Sequence, residues 1–254
     1  MIPTAEMAAS PRRTMVDFHS HILPEVDDGS SSVEESITML QALARQGVTH
    51  VVATPHFYPR HDDLHRFLER RDRGEKTLRE EMARHEGLPE LLIGAEVAFF
   101  RGISESDCLT ELTIRGERCI LIEMPLPPWS EEFYRELEDI RTKRNILPVI
   151  AHVDRYIQPL RTFGIPKRLA QMPVYIQANG EFFLERSTAR MALRMLNAGQ
   201  IHLLGSDCHN LSDRKPNLGP AMEKIRKGCG DRILTRLHEN ERTVLSGICN
   251  TADI

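Results

Sequence analysis

No cysteine pair at C-x-x-C spacing occurs in the 254 residues; Cys108, Cys119, Cys208, Cys229 and Cys249 are scattered and odd in number. That excludes a thiolate zinc knuckle and a disulfide framework, and leaves reduced thiols, mostly buried. A run of about 20 apolar residues able to cross a bilayer is also missing. The opening stretch "MIPTAEMAASPRRT" lacks the apolar segment of a secretory signal, so the expectation is a soluble, cytoplasmic protein without a membrane span. Positive charge is not in excess either. Against 37 Asp and Glu stand 33 Lys and Arg, a net charge of -4, which gives no basic field for a nucleic-acid backbone. No Gly/Ser linker or shift in composition divides the chain. Residues 1–14 read as a loose tail and 15–254 as a single domain, a length that suits one α/β barrel.

What is present is alternation. After a short strand at residues 15–18 comes "SSSVEESITMLQALARQG", where Ser32 and Glu35 have capping-box spacing. Val33, Ile37, Leu40, Leu43 and Ala44 recur at helical spacing there, and Gly47 ends the helix. "VTHVVAT", "ELLIGAEV", "RCILIEM", "ILPVIAHV", "VYIQANG" and "IHLLGSDCH" are further short apolar runs, most of them separated by helical stretches such as 131–143 and 187–198. "RFLERRDRGEKTLREEMARHEG" reads as an exposed, charge-laced helix. Seven strands, nearly all followed by helices, predict a closed or nearly closed parallel α/β barrel.

The residues at the ends of these runs carry the chemistry. They are His19, Ser20 and His21; Pro55 and His56; Glu96; Glu123; His152; Asn179; and Asp207 with His209. In such a barrel the carboxyl ends of the strands share one face, which holds the active site. His19, His21, Asp28, His56, Glu96, Glu123, His152, Asp207 and His209 therefore converge in the expected fold. Imidazoles and carboxylates without a thiolate suit Mn²⁺, Fe²⁺, Zn²⁺ or Mg²⁺. Four carboxylates in one cleft would otherwise repel by several kcal/mol per pair at an effective dielectric of about 20, and cations resolve this. His50, His202, His61, His65, His85 and His238 read as ordinary packed or surface histidines.

"DFHSHILPEVDDG", "ATPHF", "GAEV", "LIEM", "IAHVDRY" and "GSDCHNLSDRKPN" together resemble the PHP (polymerase and histidinol phosphatase) superfamily, and within it the CpsB-type bacterial protein-tyrosine phosphatases. The matches keep their order from residue 15 into the C-terminal helices. The resemblance implies a distorted seven-stranded α/β barrel with three metal ions, manganese foremost and iron, magnesium or zinc as alternatives. It would place His19, His21, Glu96 and Asp207 on one ion. A second, bridged by Glu96, would be held by Glu123 and His152, and a third by Asp28, His56 and His209. Arg155 and Arg214 match the arginines expected at the phosphate, while Tyr58 and Arg60 are candidates for the cleft rim only. The implied substrate is phosphotyrosine, with a bacterial tyrosine kinase bearing a tyrosine-rich tail, in control of capsule or exopolysaccharide synthesis, as partner.

The mechanism expected from these residues is in-line attack by a metal-bridging hydroxide without a covalent phosphoenzyme. The planar forks of Arg155 and Arg214 would stabilise the equatorial oxygens. Cys208 and Arg214 also fit the C-x5-R pattern of cysteine-dependent phosphatases. The loop "CHNLSDR" argues against that reading, because it lacks glycine and carries Asp213 beside Asp207, which would raise the thiol and repel a dianion. Other rivals are histidinol phosphatase, an exonuclease, an amidohydrolase, and a barrel that has lost catalysis and only binds; no Lys follows a strand to bridge an amidohydrolase centre.

Overall fold

The computed structural model describes residues 14–114, 118–157 and 164–246. The expected tail over 1–14, apart from Thr14, lies outside the described residues, as does Cys249.

Two of the seven apolar runs are broken, so that the described residues form nine parallel strands: β1 (Val16–Ser20), β2 (His50–Ala53), β3 (His56–Phe57), β4 (Glu90–Ile93), β5 (Glu96–Ala98), β6 (Cys119–Glu123), β7 (Leu147–Ile150), β8 (Tyr175–Asn179) and β9 (Leu203–Gly205). The first break falls at Pro55, which has no N–H for a ladder. The second falls at Gly94, where a Cβ would come within 3.0 Å of the Ile114 side chain. Hydrogen bonding runs β1-β2-β4 in one sheet and β3-β5-β6-β7-β8-β9 in the other, so each broken run contributes to both. The ring closes at its carboxyl end. His19 O accepts from Asp207 N at 2.7 Å and Cys208 O accepts from His21 N at 2.9 Å, tying β1 to the chain that leaves β9. This is the parallel α/β barrel the alternation predicts, distorted as the resemblance implies.

Strand side chains sort into two apolar clusters. Val52, Leu92, Leu121, Val149 and Tyr175 pack together with Val16 and Phe18, and Val244 joins them. Val51, Ile122, Ile150 and Ile176 pack instead with the apolar faces of helices. Among those helices are α1 (Val33–Arg45), α2 (Leu64–Met82), α3 (Leu109–Leu112), α4 (Glu131–Arg144), α5 (Gly164–Leu169), α6 (Gly180–Leu184), α7 (Ala189–Asn197), α8 (Leu218–Cys229) and α9 (Asp231–Leu245), which carries Val244. Ser32 caps α1 by accepting from Glu35 N at 3.2 Å, while the Glu35 carboxylate reaches back to Ser31 N at 2.9 Å, one residue earlier than a regular capping box. The charge-laced segment is α2, capped by Asp63 and anchored by buried Phe67 and Leu78. No helix of the described residues is long and apolar enough to cross a membrane.

Candidate metal centre

All nine side chains named from the strand ends meet at the carboxyl face. Glu96, at the start of β5, lies at the middle: Oε2 is 2.8 Å from His56 Nδ1, 3.2 Å from His19 Nε2 and 3.5 Å from His21 Nε2, and Oε1 is 2.7 Å from His152 Nε2. Asp207 Oδ1 is 3.5 Å from Nε2 of both His19 and His21. Asp28 Oδ1 lies 3.4 Å from His56 Nε2 and 3.5 Å from His209 Nε2. Glu123 Oε1, at the end of β6, is 3.5 Å from His152 Nε2.

Three overlapping groups have donor atoms that all lie within 4.8 Å of one another: His19, His21 and Asp207; His21, Asp28, His56 and His209; and His56, Glu96 and Glu123. This grouping differs from the one the resemblance implied. His21 takes part in two groups, and His56 joins Glu96 and Glu123. His152 also meets both of these carboxylates, at 2.7 Å and 3.5 Å.

The burial of the cluster makes its electrostatics demanding. His19, His21 and His152 are fully buried and Glu96 nearly so, while Asp28 on the loop after β1 is exposed. Burial alone would push the Glu96 carboxyl up, but the His19, His152 and His21 imidazoles hold it well below the usual range. Asp207 is likewise lowered, burial being outweighed by His19 and His21. His21, which burial would lower, is held well above its ordinary value by Asp207, Asp27 and Glu96. The carboxylates thus need positive charge among them. Among the described residues of the cluster, the buried His152 Nδ1 and His209 Nε2 have no hydrogen-bond partner, and His56 Nδ1 and Glu96 Oε2 face each other at 2.8 Å without hydrogen-bond geometry. Such orphans are costly, and a nitrogen and oxygen donor set of this kind suits divalent cations.

Several residues that orient the cluster were not singled out from the sequence. Asp27 Oδ2 bonds His21 Nδ1 at 2.7 Å and accepts from His56 N at 2.9 Å. Gln177, fully buried on β8, accepts from His152 N at 2.6 Å through Oε1, which also faces His19 Nδ1 at 3.3 Å. Its amide donates to Asn179 Oδ1, and Asn179 donates to Asp207 Oδ2, each at 3.0 Å. β8 is the run whose end supplies no imidazole or carboxylate, and its polar side chains support those of its neighbours. Asp17 accepts from Ser206 N at 2.8 Å and from Ser206 Oγ at 2.5 Å. The one available signal was Gln and Asn alternating in an otherwise apolar run, "YIQAN".

Two of the donors sit on strained backbone. His152 has φ 29° and Asp207 φ 53°, conformations that cost a non-glycine residue about 1–3 kcal/mol. The bonds from His152 N to Gln177 and from Asp207 N to His19 O hold them there.

Both arginines reach the cluster. Arg155, on the short turn after β7, donates to Asp207 Oδ2 at 2.6 Å, and Arg214 donates to Asp207 Oδ1 at 2.7 Å. Each arginine side chain is more than one-third exposed (Arg155 39%, Arg214 35%), so each also meets solvent. They line a cavity of about 370 Å³ with Asn179, Ser206, Asp207 and Lys215. Cys208 is fully buried, and burial followed by the Asp17 charge pushes its thiol well above its ordinary value. It can neither reach a substrate nor ionise readily. Tyr58 and Arg60 are exposed, and the Tyr58 ring stacks on His56 at 5.1 Å.

A family model described as capsular polysaccharide synthesis, CpsB/CapC, matches residues 15–246. Tyrosine-protein phosphatase CpsB of Streptococcus pneumoniae is 30% identical, over 91% of this chain and 98% of its own length. Tyrosine-protein phosphatase YwqE of Bacillus subtilis is 28% identical over 91% of each chain. A crystal structure from work on YwqE and the pneumococcal CpsB, described as unique metal-dependent tyrosine phosphatases, superposes with a TM-score of 0.79 at 25% identity, covering 92% of this chain and 95% of the other. N-isopropylammelide isopropylaminohydrolase of Burkholderia multivorans, at 13% identity and a TM-score of 0.50, shares the barrel alone. With a family match that spans the whole ring of strands and a structural likeness of that extent, this chain belongs to the CpsB/CapC family of capsular polysaccharide synthesis.

Proposed function

We propose that this protein is a metal-dependent protein-tyrosine phosphatase. The observation that carries the reading is the pairing of a buried imidazole and carboxylate cluster with two guanidiniums, Arg155 and Arg214, that converge on Asp207 at its edge. Relatives of nearly full-length coverage bear the name tyrosine-protein phosphatase.

In this reading His19, His21, Asp28, His56, Glu96, Glu123, His152, Asp207 and His209 hold divalent cations, three in number, with manganese first and iron, magnesium or zinc as alternatives. Bound cations would neutralise a phosphoryl dianion and acidify a water molecule in line with the leaving oxygen. The chain's own part is to fix that arrangement. Glu96 offers both oxygens to the centre of the cluster, and Asp207 receives both arginines. Arg155 and Arg214, exposed on one side, present planar forks to the equatorial oxygens of a phosphate monoester. A phenol leaves without much proton assistance, so an aryl ester needs no dedicated general acid here.

The chain acts, in this reading, as one catalytic domain over residues 15–254 behind a short tail, in the cytoplasm. Its substrate is a phosphotyrosine protein of capsule synthesis, a tyrosine kinase with a tyrosine-rich tail.

The test is hydrolysis of p-nitrophenyl phosphate and a phosphotyrosine peptide by metal-stripped protein, with Mn²⁺, Fe²⁺, Mg²⁺ or Zn²⁺ returned singly and iodoacetamide alongside. Activity that returns only with metal and survives alkylation is the expected result. Activity indifferent to chelation, or none with any metal, would overturn it.

A further inference from the structure

Among the described residues the exposed large apolar side chains are Tyr58, Leu126 and Leu211, at 38%, 70% and 42% exposure. They are not scattered. Tyr58 follows His56 by two residues, Leu126 follows Glu123 by three, and Leu211 follows His209 by two. At about 3.5 Å per residue each Cα therefore lies within about 7–11 Å of the Cα of a cluster residue, on three separate loops of the carboxyl face.

Nor is their exposure an accident of slack loops. Tyr58 O accepts from His61 N and Asp62 N at 2.8 Å, Tyr58 N donates to Asp62, and its ring lies on His56. The Leu126 loop is pinned on both sides, by Met124 N to Tyr156 Oη at 2.8 Å and by Trp129 Nε1 to Pro125 O at 2.6 Å. Leu211 stands on a turn in which Asn210 Oδ1 accepts from the backbone N–H groups of Ser212, Asp213 and Arg214. Three braced loops hold apolar groups in water, where each forfeits about 25 cal/mol for every Å² left uncovered. Single exposed apolar residues need no explanation, but three on braced loops that each directly follow a cluster residue point to a contact surface.

We infer that Tyr58, Leu126 and Leu211 form an apolar collar that receives the segment of a protein substrate flanking its phosphotyrosine, and that the collar prefers aromatic or aliphatic flanking residues. This deepens the proposed phosphatase reading and rests on it. The occupant follows from the surroundings. Arg155 and Arg214, part-exposed beside Asp207 at the edge of the cluster, suit a phosphate, so what the collar touches is the apolar matter that arrives with that phosphate. An aryl ester within an apolar stretch of chain has both parts.

Two peptides carry the test, each with one phosphotyrosine, flanked in one by Leu and Tyr and in the other by Ser and Gly. Metal-loaded full-length protein and its Leu126→Ser/Leu211→Ser double variant are compared on both, and on p-nitrophenyl phosphate. Binding is read separately by fluorescence anisotropy with labelled peptides bearing a non-hydrolysable difluorophosphonate. The expected result is that the wild type prefers the apolar peptide by about tenfold in kcat/KM and Kd, and that the variant loses this preference. Equal handling of both peptides by the wild type, or an unchanged preference in the variant, overturns the collar and leaves the phosphatase reading standing. Failure of the wild type to hydrolyse any of the three substrates overturns both.

Discussion

Asp27 Oδ2 lies 2.7 Å from His21 Nδ1, which fixes the ring so that Nε2 turns into the cluster. A carboxylate behind an imidazole sets its tautomer and raises its basicity as a ligand. Replacing Asp27 by Asn exchanges the carboxylate behind His21 Nδ1 and His56 N for a neutral amide. Metal affinity should fall by about 10–100-fold, measured by titration of the stripped protein, with the folded state retained by circular dichroism.

Gln177 is the second support. With Gln177→Leu, the His152 N–H loses its acceptor in a buried setting, which costs about 1–3 kcal/mol. Thermal unfolding of the stripped protein should show that loss, and metal affinity should fall in addition.

Arg155 carries a prediction that separates charge from shape. Arg155→Lys keeps the charge but not the fork that meets Asp207 Oδ2 and faces Glu123. A fall in kcat of about a hundredfold, with metal content unchanged by elemental analysis, is expected if both guanidinium edges are used on the phosphate.

Cys208 offers the opposite expectation. Because the thiol is fully buried and pushed up by burial, Cys208→Ala should leave kcat within about twofold of the wild type at saturating metal.

His202 supplies a pH signature away from the cluster. Burial, then the Arg236 charge, lowers its imidazole to about 4 from 6.5, and Nδ1 accepts from Ile176 N at 3.1 Å. The unfolded chain binds the proton first, so this contribution to stability is whole above pH 6.5 and is lost as pH falls towards 4. Between pH 7 and 5 the wild type should lose about 1–2 kcal/mol more than His202→Asn, measured by urea unfolding at each pH.

The fold was legible because alternation of apolar runs with capped helices has few solutions, and the strand-end rule then named the cluster without any distances. The breaks at Pro55 and Gly94 were less legible. Either could have been a bulge within one strand, and only the approach of Ile114 to Gly94 shows why the second run bends. That His21 and His56 each take part in two groups of donors was not legible, since such sharing depends on side-chain rotamers rather than on order in the chain. Asp27 was hidden by its neighbour Asp28, two carboxylates of which one faces His21 and the other is exposed. Gln177 was visible only as a polar residue in an apolar strand and Asn179 only as a strand end, with nothing to say what they would hold.

The bond between Asp17 and Ser206 joins residues 189 apart in the chain, and it lies beside the donors His19 and Asp207. At about 5–20 residues per second, some 10–40 s of synthesis separate these two ends of the ring. His19, His21 and Asp28 leave the ribosome long before their companions exist. Asp207 and His209 follow β9, so the two groups of donors that need them stay incomplete until it emerges, and their filling becomes a late step in biogenesis, coupled to the docking of the last strand onto the first.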